Sequence, residues 1–211
     1  MFLIDENIKK LISGKANELG FIKTGFSKAD ILNDESDRLK KWLDNNYDAD
    51  MKWIQKGFDK RKDVRLILPD AKTVISLAYN YYSDFKHDDS KPKISRYAWG
   101  KDYHKLLKNK LKEICSFIKK DLISGATDIS EKGIRMTDIP EKEIRTTDIP
   151  VCRDKISTLF YVDDGPVMDK AWAVRGGIGW QGKHTNVINP ECGSWIFLGE
   201  IITNLDCNVY D

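Results

Sequence analysis

Cysteine is scarce in this chain of 211 residues: Cys115, Cys152, Cys192 and Cys207 are the four present. None lies at the close spacing of a zinc ribbon or an iron–sulfur loop, so neither kind of metal site is indicated. Few cysteines and no secretory leader pattern favour a reducing compartment, so the cytoplasm is expected. Long apolar runs are also missing. Met1–Ile4 ends at Asp5, and nothing approaches the roughly 20 apolar residues of a spanning helix, so no membrane partner is expected. Nor does one sign of charge dominate. Lys and Arg number 35 against 33 Asp and Glu, a formal net charge of +2. That balance is too even to argue nucleic-acid binding by itself.

What is present reads as alternating helices and strands. Ile8, Leu11, Ile12, Ala16 and Leu19 recur at helical spacing, and Gly20 ends that helix. Phe21–Phe26 reads as a strand, Leu39, Trp42 and Leu43 mark a second helix, and Met51–Gln55 a short third. Thr73–Tyr81 is rich in β-branched and aromatic residues and reads as a core strand. The longest helix is expected over Tyr103–Leu122, with Leu106, Leu107, Leu111, Ile114, Cys115 and Ile118 on one face and its lysines mostly on the other. Ile156–Val162 is a further strand, Val167–Arg175 a helix and Trp195–Thr203 a last strand. The pattern predicts an α/β or α+β sandwich, a mixed sheet flanked by helices, in one domain over residues 1–211.

Residues 124–153 break the pattern. Thr127-Asp-Ile-Ser, Thr137-Asp-Ile-Pro and Thr147-Asp-Ile-Pro recur with a period of ten residues. That is shorter than the roughly 20–50 residues of a solenoid unit, and it carries no apolar periodicity from which to build a core. A low-complexity insertion forming a polar surface loop is expected.

The chemistry-bearing stretch is Val162-Asp163-Asp164-Gly165-Pro166, followed by the glycine-rich run Arg175–His184. A carboxyl at the end of a buried strand is pulled two ways: desolvation favours its protonated form, nearby cations its ionised form. Asp163 is therefore either a proton donor or a cap on the turn that follows. Asp164 reads as a solvated turn residue or as a second acid coupled to the first. Gly177-x-Gly179-x-x-Gly182 spells a dinucleotide fingerprint, but a helix precedes it where that fingerprint needs a strand. A tight structural turn is the plain alternative. His184 has the chemistry of a cobalt ligand, His104 heads the long helix, and His87 sits in a charged loop. Arg61 is one of several cations over Lys56–Arg65 and reads as part of a solvated face. Arg96, Lys101, Lys105, Lys108 and Lys110 interleave with Tyr97, Trp99 and Tyr103. That mixture suits either RNA contacts or a merely soluble helix face.

Three ordered segments resemble the epoxyqueuosine reductase family: Lys60-Arg61 with Leu66–Pro69, Ser95–His104, and Val162–Leu205. Within the last, Asp163, Pro166, Gly177, Gly179, Trp180, Gly182, Lys183, His184, Gly193, Ser194, Leu198, Gly199 and Glu200 carry the match. The resemblance implies cobalamin-dependent reduction of epoxyqueuosine to queuosine in a tRNA anticodon loop. It implies a fold like that of cobalamin-processing and reductive-dehalogenase domains. Asp163 becomes the proton donor. Arg61, Ser95, Asp163, Gly182, Lys183, His184, Val187 and Leu198 become cofactor contacts, with no histidine from the protein on cobalt. Members of the family run on into cysteine clusters that hold iron–sulfur centres, and those cysteines are absent up to Asp211. The expectation is the cobalamin-binding catalytic domain alone, truncated or split, with tRNA and a separate iron–sulfur electron donor as partners. A corrinoid-binding or trafficking module without redox chemistry, or a non-functional remnant, are the rival readings.

Overall fold

The computed structural model describes residues 3–86, 88, 90–128 and 156–211, with the backbone only for 121–128. Most of the repeat segment, Cys152 and His87 lie outside the described residues. Residues 124–128, assigned from sequence to the insertion, instead complete the long helix.

The chain opens with β1 (Leu3–Ile4) and α1 (Glu6–Glu18). Asp5 caps α1, its carboxylate accepting from the Ile8 amide at 2.9 Å. β2 (Lys23–Lys28), α2 (Asn33–Asp44), α3 (Lys52–Lys56) and α4 (Phe58–Lys62) follow, then β3 (Thr73–Asn80) and α5 (Tyr103–Asp128). The second half holds β4 (Thr158–Tyr161), α6 (Asp169–Arg175), β5 (Trp180–Gln181), β6 (Val187–Ile188), β7 (Ile196–Thr203) and β8 (Asp206–Cys207). Phe21, expected to open β2, lies before the strand: its amide bonds the Ala16 carbonyl at 3.0 Å, and its ring is buried against α1.

The central sheet runs β2-β3-β7-β4 and every pairing in it is antiparallel. The mixed sheet expected from sequence is corrected here: among the described residues, parallel pairing is confined to the separate β1–β8 ribbon. Strands far apart in the chain pair directly, so the intervening helices are not the crossovers of a parallel βαβ sheet.

The period of two along each strand divides the core. Ile75 and Leu77 of β3 and Ile201 of β7 join Ile12 and Ala16 of α1 and Leu107, Leu111, Ile114 and Ile118 of α5. The alternate residues pack on the opposite face. Val74 and Ile202 meet Trp172 of α6, and Ala78 meets Ala173 and Ile178. Between these two apolar patches sits one cross-strand polar pair, Ser76 and Glu200, both fully buried. α6 lies close enough to the sheet that a methyl group on Gly25 would stand 1.8 Å from the Gly176 carbonyl oxygen.

Candidate functional site

The corner between β4 and α6 carries the candidate proton donor. Val162 is buried, and the chain then turns outward through Asp163 at φ 50°. Aspartate tolerates this left-handed region better than most residues, but it remains an uncommon, strained choice of the kind found at functional corners. The Tyr103 hydroxyl donates to Asp163 Oδ2 at 2.9 Å. Tyr103 is itself held by stacking, with ring centroids 4.1 Å from Phe197 at an interplanar angle of 4°. Burial, followed by the Asp163 carboxylate, pushes the tyrosine hydroxyl well above its ordinary range, so it stays a hydrogen-bond donor.

Asp164 is exposed, as expected of a solvated turn residue, but it has partners. It accepts from the Val162 amide at 2.9 Å and pairs with Lys108 of α5. Burial alone would raise its carboxyl, but the hydrogen bonds from Lys108 and Val162 outweigh that and hold it below the usual range. The first two turns of α5 thus tie down both acids of the corner. Lys110 also has a structural place, donating to the Leu19 carbonyl and lying over the Tyr79 ring. His104 Nδ1 hydrogen-bonds Asp102 Oδ1 at 2.9 Å.

Two depressions flank this corner. One is a cleft of about 780 Å³ walled by Trp42, Trp53, Arg61, Met168, Asp169 and Lys183. Arg61 lies 5.3 Å from the centre of the Trp53 ring, and its Nη1 donates to the Val167 carbonyl at 3.2 Å. The cleft wall is braced where Arg175 of α6 grips Glu35 of α2 through two bonds of 3.1 and 3.0 Å. Lys170 ties α6 to the glycine-rich loop through Asn186 at 2.9 Å. In that loop a methyl group on Gly179 would lie 2.1 Å from the Ile188 carbonyl oxygen, so close backbone packing demands glycine there.

The other depression, about 870 Å³, is walled by Tyr81, Arg96, Tyr97, Tyr103, Lys105 and Phe197. Next to it, Ser95, Lys86, Lys93 and Trp195 line a shallower hollow. The Arg96 guanidinium sits 4.9, 5.0 and 5.4 Å from the ring centres of Tyr82, Trp99 and Trp195. Cations set among exposed aromatic faces are the chemistry of single-stranded RNA contact.

The structure gathers only part of the set read from sequence. Arg61, Gly182 and Lys183 line the cleft. Asp163 stands on its corner, bonded to a wall of the second depression. Ser95 is exposed in the neighbouring hollow. His184 is exposed on the glycine-rich loop, outside the residues lining the cleft. Val187 is buried with Ala78, Ala173 and Ile178, and Leu198 packs against the same cluster. Strand alternation turns these two side chains toward α6 rather than into the cleft. Three residues take places not read from sequence: Tyr103, considered there for RNA contact, is the partner of Asp163; Asp169 stands on the cleft wall; and Glu200, there only part of the family motif, is buried in β7. Glu200 had a visible signal, a single charge inside an apolar strand. Asp169 had none beyond its place at a helix start.

Among the described residues no group of three or more His, Cys, Asp or Glu side chains could hold a metal ion, and no helix is long and apolar enough to cross a membrane. A family model described as epoxyqueuosine reductase QueG, DUF1730, matches residues 61–130. The epoxyqueuosine reductase of Cellulophaga algicola is 40% identical over 201 residues, covering 95% of this chain and 56% of that protein. The structure of epoxyqueuosine reductase from Streptococcus thermophilus superposes with a TM-score of 0.75 at 30% identity, over 97% of this chain and 48% of that one. A crystal structure of epoxyqueuosine reductase with an epoxyqueuosine-modified tRNA-Tyr stem loop matches with a TM-score of 0.68 at 27% identity, over 97% of this chain and 47% of that one. The chain spans about half the length of the curated relatives it matches.

Proposed function

We propose that the chain, 40% identical to an epoxyqueuosine reductase over the 56% of that protein that it spans, is the part of such an enzyme that binds cobalamin and the modified tRNA and protonates the epoxide. The observation that carries this reading is the position of Asp163, held on a strained corner by Tyr103, which itself walls the cationic, aromatic groove. The proposal includes the fold kinship with cobalamin-processing and reductive-dehalogenase domains.

The residues of the cleft fit a corrin. Arg61 Nε and Asp169 Oδ1 are buried without a hydrogen-bond partner. Buried polar atoms need partners, and a ligand fringed with primary amides brings both donors and acceptors. Apolar and indole surface from Trp42, Trp53 and Val174 would cover the ring. Reduced cobalamin bound there would supply the two electrons of the reaction, drawn from an iron–sulfur donor outside these residues.

The chain's own residues handle position and protons. Epoxide reduction to an alkene breaks two C–O bonds, forms one C=C bond, consumes two electrons and two protons, and releases water. Asp163 delivers a proton to the departing oxygen. Tyr103 orients that carboxyl, and its hydroxyl keeps its own proton. Arg96, Tyr97 and Lys105 give the anticodon loop stacking faces and phosphate partners.

The test is a cobalamin titration by visible absorbance, followed by single-turnover reduction of epoxyqueuosine-tRNA with chemical reductant. Asp163→Asn keeps the shape but cannot donate the same proton. It should bind cobalamin as the parent does and react about 10²–10⁴-fold more slowly, the usual value of general-acid catalysis. A parent chain that binds cobalamin but never turns over with any reductant would favour the trafficking module instead.

A further inference from the structure

Two more carboxyls each hold one oxygen out of water with no hydrogen-bond partner: Asp169, half-buried on the cleft wall, and Glu200 in the core. Glu200 is 0% exposed. Its Oε2 takes the Ser76 hydroxyl at 2.6 Å, while Oε1 is buried without a partner. Asp169 Oδ1 is likewise buried and unpartnered. A buried carboxylate in that state costs several kcal/mol, and protonation removes the charge. The electrostatics agree with the geometry. Burial first, then the charge of Asp163, raise Asp169 to about 7, with Arg61 opposing. Burial and the neighbouring Asp169 raise Glu200 well above its ordinary value.

The charged groups facing Asp169 come from three elements: Arg61 from α4, Asp163 and Asp164 from the corner after β4, and Glu200 from β7. Glu35, Arg38 and Lys183 lie further round the cleft wall. Asp163 on the exposed corner thus acts on Asp169, and Asp169 on the fully buried Glu200.

The reaction proposed above takes up two protons per epoxide, and Asp163 carries one. We propose that Asp169, backed by Glu200, is a proton store that recharges Asp163 between the two transfers. In that step an O–H bond on Asp169 breaks and one forms on Asp163. The negative charge moves inward to Asp169, beside Arg61, and no electrons are transferred. Asp169 acts through Asp163 and is a positioning and relay residue rather than one that touches substrate. The proposal rests on the epoxide-reduction reading.

Two measurements separate it from that reading. The first is an infrared pH titration of the full chain without cobalamin or tRNA. It should show a protonated carboxyl that titrates near neutral pH, absent from Asp169→Asn and moved in Glu200→Gln. The second is single-turnover reduction as a function of pH. The parent rate should fall as pH rises through neutral and the store empties. Asp169→Asn should lose that limb and run about 10-fold or more slower, and Asp169→Glu should restore it, each measured with cobalamin at saturation. A neutral-pH carboxyl that persists in Asp169→Asn, or an Asp169→Asn rate and profile equal to the parent's, overturns the store. If the parent neither binds cobalamin nor reduces the tRNA, the functional reading falls, while the infrared titration still decides whether Asp169 holds a proton at neutral pH. Should Asp169→Asn fail to fold, Asp169→Glu and Glu200→Gln carry both measurements.

Discussion

Asp169→Asn should make the fold more stable at alkaline pH and leave it nearly unchanged in acid. The carboxyl ordinarily titrates at 3.8 and is raised to about 7 in the folded chain, chiefly by burial. Between those values the folded state binds a proton that the unfolded chain has released. Stability therefore falls as pH rises across the interval and levels off above it. Each pH unit is worth about 1.4 kcal/mol, so the full interval withdraws about 4 kcal/mol, taken as an upper bound. Asparagine fills the same space and cannot ionise, so the variant escapes that loss. At pH 8 it should exceed the parent by about 2–4 kcal/mol, or several degrees in Tm at roughly 2–4 °C per kcal/mol for a chain of this size. Near pH 4 the two should converge. Glu200 remains in the variant and still titrates, so the variant's own curve keeps some slope. Urea unfolding followed by circular dichroism at pH 4, 6 and 8 measures the gap directly. A gap that does not change with pH would refute the reasoning, because it would mean that Asp169 titrates alike in the folded and unfolded chain.

Two further substitutions probe the frame around the site. Gly25→Ala places a methyl group 1.8 Å from the Gly176 carbonyl oxygen, a backbone atom that cannot step aside alone. Lifting α6 off the sheet should cost about 3 kcal/mol or more and weaken cobalamin binding with it, read by thermal melting and absorbance titration. Tyr103→Phe keeps the stack on Phe197 at 4.1 Å and removes the hydroxyl that holds Asp163. Stability should change by about 1 kcal/mol, while single-turnover reduction falls with cobalamin affinity intact.

Much of the frame was legible along the chain. The apolar periodicity of α1 and α5 and the β-branched run of β3 mark their elements because local pattern and burial agree at those positions. The ends were less legible. Tertiary contacts set them: Phe21 is drawn out of β2 by the α1 carbonyl that its amide bonds, and α5 runs on to Asp128. The antiparallel order β2-β3-β7-β4 left no local trace, since alternating helices and strands are equally compatible with a parallel sheet.

The site divides in the same way. Asp163, Gly182 and Lys183 stood out as residue types in a recognisable order, and the structure brings Gly182 and Lys183 to one cleft with Arg61. Val187 and Leu198 stood out equally, yet strand alternation turns them into the core. By itself the sequence determined which faces are apolar, where an acid ends a strand, and which family the motifs resemble. All of these are properties of neighbours along the chain. Only the tertiary structure decided that Tyr103 meets Asp163 across 60 residues of sequence, and that Ser76 meets Glu200 across 124. It alone left one carboxyl oxygen of Asp169 buried without a partner. Those contacts depend on how a sheet and two helices pack, and desolvation acts on a carboxyl only once that packing has closed over it.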